Sequence, residues 1–363
     1  MQNRYIVIMA GGKGERFWPE SRKSSPKQFL PIVGSTPMLV QTIERLKGIV
    51  NPGNIFVITN EQHRDLVLEI CPQLDNEKVI GEPIGRDTAP AVALATLLVR
   101  RENPNGVFAI LPSDSVIENK DAFNSVIESA FALAESRRVL VTIGIKPTHP
   151  ATGYGYIHRS KAFEKYNEHI AYEVRKFVEK PNIEKAKAYL KSGEFFWNAG
   201  MFIWSVSNIS EQFEKNCPKI WESIQRINLA LGEGEALDAI LSREYPEMDK
   251  ISVDYAIIEK ADNIAMIESV FDWDDVGEWN SIERHNQTDD SGNCLRGISK
   301  VLNTNNSIVS NRDSGHLVAL LGVDDLIVVH TKDATLVCKK SEAQKMKELV
   351  SSLAKTPEFD HFT

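Results

Sequence analysis

Residues Ala10–Leu30 read A-G-G-K-G-E-R-F-W-P-E-S-R-K-S-S-P-K-Q-F-L and follow a short apolar run, Tyr5–Met9, that predicts a buried strand. Gly11, Gly12 and Gly14 leave the backbone bare where a ligand must come close. Lys13, Arg16, Arg22 and Lys27 follow within the same stretch. Exposed backbone N–H groups can approach phosphate oxygens, and the cations neutralise phosphate charge. A basic, glycine-rich loop at the carboxyl end of a first strand therefore predicts a polyphosphate cradle in an α/β fold. It is not a P-loop, because no Gly-Lys-Ser/Thr follows. It is not the dinucleotide fingerprint either. Phe17 stands where the third glycine belongs, and the second strand ends at Asn60 instead of an acid. A nicotinamide dehydrogenase is disfavoured on both counts.

Working outward, apolar runs at Ile55–Thr59, Val107–Leu111 and Val139–Ile145 alternate with helical patterns at Met38–Leu46, Glu61–Ile70, Ala89–Arg101 and Asp121–Glu135. This is the alternation of an α/β sheet, whose ligands bind beyond the carboxyl ends of its strands. Two further motifs fall there. G-E-P-I-G-R-D-T-A-P-A, residues 81–91, precedes an apolar helix that Thr88 could cap. Its Glu82 is a carboxylate able to accept two hydrogen bonds at once. V-F-A-I-L-P-S-D-S, residues 107–115, ends on Asp114, a carboxylate well placed for a metal.

Farther along, A-T-G-Y-G-Y-I at 151–157 predicts a glycine turn into a strand, with Gly153 allowing close approach. F-V-E-K-P at 177–181 sets Glu179 beside Lys180; strand neighbours point to opposite faces, so the two need not act together. Asn198 is the polar exception in the apolar F-W-N-A-G-M-F-I-W, so it needs an internal partner or a ligand. Trp197, Phe202 and Trp204 read as core. Ile251–Lys260 carries Asp254 and Glu259, for which pocket lining and helix capping by Ser252 or Asp254 are equal alternatives. F-D-W-D-D-V-G-E-W at 271–279 crowds Asp272, Asp274 and Asp275, which must be solvated or gathered by a cation. At ~4 Å and an effective dielectric of ~20, two such charges repel by about 4 kcal/mol.

The net charge of −8 disfavours a nucleic-acid binder, so an anionic substrate must meet a local basic patch, and residues 11–27 are the best one. Four dispersed cysteines support neither a zinc site nor a redox pair. With no signal-like or membrane-length apolar run, the expectation is a soluble, cytoplasmic protein that binds no membrane. Composition shifts at His285–Gly292, and short β-like segments follow at Ser307–Ser310, Leu317–Leu321, Leu326–His330 and Thr335–Cys338. A basic amphipathic helix, Ser341–Leu353, ends the pattern. This predicts a large domain over 1–288 and a small domain over 289–363.

The signature from Gly11 to Leu30, with L-P-x-D, F-V-E-K-P, the Asn198 block and D-V-G, resembles the mannose-1-phosphate guanylyltransferases among the sugar nucleotidyltransferases. The resemblance covers most of the chain, and Trp18 and Gln28 point to the guanylyl branch. It implies a Rossmann-like mixed sheet with flanking helices and a short left-handed β-helix-like C-terminal domain. It also implies transfer of GMP from GTP to mannose 1-phosphate. In its terms Gly11, Gly12, Gly14, Arg16 and Lys27 hold and neutralise the triphosphate, while Glu82 and Pro83 lie against the base. Gly153, Glu179, Lys180 and Asn198 take the sugar phosphate. Asp114 and Asp275 hold Mg²⁺, and Arg16, Lys27 and the two aspartates are the catalytic set. Oligomeric state is left open, a homodimer included. Two rivals stand beside this reading: a nucleotidyltransferase for another sugar phosphate or base, and a non-catalytic nucleotide-sugar sensor.

Overall fold

The computed structural model describes residues 3–12 and 14–363; Lys13, expected in the phosphate cradle, lies outside them. Two compact units emerge, neither contiguous in sequence. The first comprises Met1–Gly11, Ile43–Ser113 and Ile117–Trp273, the second Gly12–Thr42, Asp114–Val116 and Asp274–Thr363. A cut at 288 falls inside the second unit.

The first unit holds a nine-stranded sheet: β1 (Arg4–Ala10), β2 (Ile55–Asn60), β3 (Val79–Glu82), β4 (Val107–Pro112), β5 (Leu140–Ile145), β6 (Tyr156–Tyr166), β7 (His169–Val178), β8 (Phe195–Ser205) and β9 (Ile264–Glu268). Their order is β3-β2-β1-β4-β8-β5-β9-β7-β6. β1 pairs in parallel with β2 and β4, and β2 with β3. This half matches the apolar runs: the first five residues of β4 are buried, as expected of a parallel strand covered on both faces. β8 then runs antiparallel to β4 and β5, and β6 with β7 forms a long hairpin, so the sheet is mixed as the resemblance implied. The helix Thr88–Glu102 buries residues all round, including Ala89, Val92, Leu94 and Leu97, which places it inside the core. Its cap is Asp87, not Thr88 as expected. Asp87 accepts the Thr88 amide, while the Thr88 hydroxyl accepts the Val253 amide at 2.8 Å.

The second unit contains β10 (Cys294–Arg296), β11 (Ser299–Leu302), β12 (Ile308–Asn311), β13 (Val318–Leu321), β14 (Leu326–His330) and β15 (Thr335–Lys339). β10, β12 and β14 stack in parallel, bringing fully buried Cys294, Ile308 and Ile327 into register. β11 and β13 form a second parallel face. Corners fall at Asn303, Asn306 and Asp325, all at positive φ, a conformation Asn and Asp tolerate better than bulkier residues. Short parallel strands joined by such corners make a β-helix-like coil.

From Gly12 onward the glycine-rich signature belongs to this unit. Phe17 and Trp18 share a core with Val276, Trp279, Ile308, Ile327, Met346 and Val350. The Trp279 indole donates to the Trp18 carbonyl at 3.1 Å. Glu20 is ion-paired with Arg312 at 2.7 Å.

The three crowded acids separate. Asp272, in the first unit, accepts the amides of Glu118 and Asn119 at 2.7 and 2.9 Å. Asp274 is buried and gathers Arg284, His285 and the Val276 amide. Burial alone would raise its carboxyl, but the hydrogen bonds of His285, Arg284 and Val276 prevail and hold it well below the carboxylate range. Its folded value lies below the unfolded one, so its stabilisation is present above about pH 4 and lost as pH falls further. Asp274→Ala should destabilise the second unit by about 3 kcal/mol at pH 7 and by less at pH 3. Denaturant melts at the two pH values would read the difference, and equal losses would contradict this account of Asp274.

Candidate active site

In the second unit, Lys27 opens a short 3₁₀ turn, Lys27–Phe29, after Pro26. Its side chain is 6% exposed, and Nζ lies 2.9 Å from Asp114 Oδ2 and 2.7 Å from the carbonyl oxygen of Asp275. Three segments far apart in sequence thus meet at one ammonium. Arg16 donates to the Gly277 carbonyl at 3.2 Å. A Cβ on Gly277 would lie 2.9 Å from Asp275 Oδ2 and 3.2 Å from Arg16 Nη1, so the Asp275 carboxylate and the Arg16 guanidinium share this neighbourhood.

The signature glycines divide. Gly14 has φ +63°, and a Cβ there would sit 2.6 Å from both the backbone N and Cβ of Lys27. Only glycine lets Lys27 come this close. At Gly12 a Cβ would meet nothing within 4 Å. The Gly12 carbonyl instead accepts the Gln28 side-chain Nε2 at 2.9 Å. Arg22 departs from the expected cradle. Its guanidinium is ion-paired with Asp333 at 2.8 Å and also donates to the Pro19 and Phe362 carbonyls.

In the first unit, Glu82 ends β3, buried, and Tyr245 donates its hydroxyl to Oε1. A Cβ on Gly11 would lie 3.4 Å from Glu82 Oε2. Burial pushes the Glu82 carboxyl up to about 7, with the Tyr245 hydrogen bond pulling the other way. Tyr245 stands just past a helical stretch with no recognisable chemistry in its sequence. Its partner lies 163 residues away, so no local signal exposes it.

A second cluster in the same unit joins Glu179, Lys180, Asn198 and Asp254. Asn198 Nδ2 donates to Asp254 Oδ1 at 3.0 Å, and its Oδ1 accepts the Gly200 amide at 3.1 Å. Lys180 donates to Glu179 at 2.7 Å. These neighbours lie past the end of β7, and Lys180 is at φ 44°, so strand alternation does not part them. The glycine packed against the cluster is Gly155, not Gly153. A Cβ on Gly155 would lie 2.5 Å from Glu179 Oε2, whereas one on Gly153 would meet nothing within 4 Å. Asp254 opens a π-helical turn, Asp254–Ile258, a local widening frequent at functional sites. Burial first, and the Glu179 charge next, push its carboxyl up to about 7. Glu259 is exposed.

The oxygen donors of Asp114 and Asp275 suit a hard cation such as Mg²⁺, and Asp114 keeps 45% of its side-chain surface exposed. Among the described residues no group of three or more His, Cys, Asp or Glu side chains is arranged to hold a metal ion. One or two carboxylates, completed by substrate phosphates and water, are what Mg²⁺ ordinarily uses. The residues therefore fit that ion.

Residues 5–292 match the nucleotidyl transferase family, and residues 300–353 match the mannose-P isomerase/GMP-like β-helix domain. A mannose-1-phosphate guanylyltransferase of Klebsiella pneumoniae is 40% identical over 349 residues, 96% of this chain and 73% of that protein. The chain belongs to the mannose-1-phosphate guanylyltransferase family of nucleotidyl transferases. The Escherichia coli K12 enzyme of that name is 39% identical over 361 residues, covering 98% of this chain and 75% of its own. A crystal structure described as mannose-1-phosphate geranyltransferase from Thermus thermophilus superposes with a TM-score of 0.85 at 31% identity, over 97% of this chain and 99% of its own. As a guanylyltransferase-family enzyme the chain carries out nucleotidyl transfer. No described helix is long and apolar enough to cross a membrane.

Gly14→Ala should push Lys27 off its two oxygens and lower turnover by about 10²-fold. Steady-state kinetics beside a thermal melt would check this; near-normal turnover would show that Lys27 tolerates displacement. For Asp254 the folded value lies above the unfolded one. The stability its neutral form contributes is full below about pH 4 and lost as pH rises through about 7. Asp254→Asn should therefore flatten the fall in unfolding free energy between pH 5 and 8. An unchanged slope would remove the raised carboxyl.

Proposed function

We propose that this enzyme transfers GMP from GTP to α-D-mannose 1-phosphate, releasing pyrophosphate and GDP-mannose. The observation that carries this is the Lys27 ammonium shared between Asp114 and the Asp275 carbonyl, with Arg16 alongside. A phosphate oxygen of mannose 1-phosphate attacks the α-phosphorus of GTP in line, the P–O bond to the β-phosphate breaks, and pyrophosphate leaves. The attacking oxygen is already ionised near pH 7, so no protein nucleophile or covalent intermediate is needed. The chain contributes positioning and preorganised charge.

In this reading Gly11, Gly12 and Gly14 admit the triphosphate to the backbone. Lys27 and Arg16 offset charge that develops on the pyrophosphate. Asp114 and Asp275 would hold Mg²⁺, which when bound supplies further neutralisation at phosphate oxygens. The Asp254–Asn198–Glu179 chain of polar groups, with Lys180, would orient sugar hydroxyls and the sugar phosphate. Glu82 and Pro83 would face the base, and the buried Glu82 carboxyl could support that wall without itself touching guanine. The Asp114 and Asp275 carboxylates and both cations make a non-catalytic sensor the weaker reading. The relatives' names favour guanine and mannose over another base or sugar.

A panel of nucleoside triphosphates and sugar 1-phosphates, read by pyrophosphate release with and without Mg²⁺, tests the reaction. GTP with mannose 1-phosphate should exceed other pairs, and preference for another pair would overturn the assignment. Lys27→Ala should lower turnover by about 10²–10³-fold. Asp275→Ala keeps the carbonyl that accepts from Lys27 while deleting the carboxylate. It should therefore raise the Mg²⁺ requirement without a matching loss of stability. Ordinary activity at low Mg²⁺ would exclude Asp275 as a ligand.

A further inference from the structure

We infer that residues Asp360–Thr363 act as a strap that positions the glycine-rich signature loop, with Trp18 and Arg22 as its receptors. The helix Met346–Ala354 supplies the base: Val350 packs in one core with Phe17 and Trp18. After it the chain turns tightly, Phe359 and Asp360 both donating to the Thr356 carbonyl at 2.8 and 3.1 Å. The turn delivers one backbone carbonyl, that of Phe362, to two signature side chains at once. The Trp18 indole donates to it at 2.7 Å, and the Arg22 guanidinium donates to the same oxygen. The Lys23 amide donates to the Thr363 carbonyl at 3.3 Å, and Lys23 Nζ pairs with Asp360 at 2.8 Å. That last pair is more than half exposed on both sides, so it adds little. The Phe362 carbonyl is the central contact. It accepts from a cation and from an indole whose ring is largely buried.

The consequence reaches the site through the loop. Ser21, one residue before Arg22, donates its hydroxyl to the Gly14 carbonyl at 2.6 Å, and Gly14 is the residue against which Lys27 sits. Holding Trp18 and Arg22 therefore holds the turn that seats Lys27. Neither matched family region, 5–292 nor 300–353, includes the strap. Trp18 and Arg22 are positioning residues, and Arg22 does not belong to the phosphate cradle.

This inference rests on the proposed reaction for its kinetic readout but not for its structural one. The test compares the full chain with a variant ending at Phe359, and with Trp18→Phe, which keeps a ring and deletes the N–H. Hydrogen exchange of amides 14–25 should speed up by about tenfold in the shortened chain, while strands of the first unit exchange as before. The KM for GTP should rise by about tenfold with little change in the KM for mannose 1-phosphate; Trp18→Phe should show about a fivefold rise. A general loss of stability would move both KM values and exchange throughout. Unchanged exchange over 14–25, or an unchanged GTP saturation curve in a folded shortened chain, overturns the strap. Should the full chain release no pyrophosphate from GTP, the proposed reaction falls, and the exchange comparison alone decides the strap.

Discussion

Lys27 places an ammonium group, almost wholly removed from solvent, between a carboxylate and a carbonyl from two other segments. A buried charge is tolerated only when paired and hydrogen-bonded, and removing one partner of such a pair typically costs about 3–5 kcal/mol. That requirement disciplines its surroundings. Gly14 must lack a side chain, Gly277 must leave room for Asp275 and Arg16, and Asp114 must keep its carboxylate within reach of the ammonium. The same arrangement presents cations beside carboxylates, which a triphosphate with its metal ion can use.

Carboxylates throughout the chain are sorted by environment. Asp272 accepts amides at a helix start, and Asp274 is ion-paired with Arg284 and hydrogen-bonded to His285. Asp275 is left to the Lys27–Arg16 neighbourhood. Glu82 and Asp254 are pushed up to about 7, chiefly because burial disfavours the charge. Adjacent or similar acids in sequence thus serve stability, shape and the site.

Much of the first unit is legible because its signals are local. Apolar runs bounded by turns locate β1, β2, β4 and β5 within a residue or so. The hairpin of β6 and β7 escapes that reading, because residues 158–166 and 169–176 are polar enough to lack a core pattern. Sequence singles out Gly153 and passes over Gly155, because composition does not say which glycine the Glu179 carboxylate approaches. Arg22 looks like a phosphate ligand because charge is visible in sequence and its partner, a backbone carbonyl at Phe362, is not.

The sequence by itself determined the element types of the parallel half of the sheet, the glycine-and-cation loop and the family. These depend on periodicity, glycine freedom and residue chemistry, all readable over a few tens of residues. Only the tertiary structure decided that the signature loop packs with residues beyond 274, that Asp274 and Asp275 part company, and that Lys27 meets Asp114. Those outcomes depend on pairing buried charges across separations of tens to hundreds of residues. A partner's identity is settled only when folding brings the two groups within hydrogen-bonding distance.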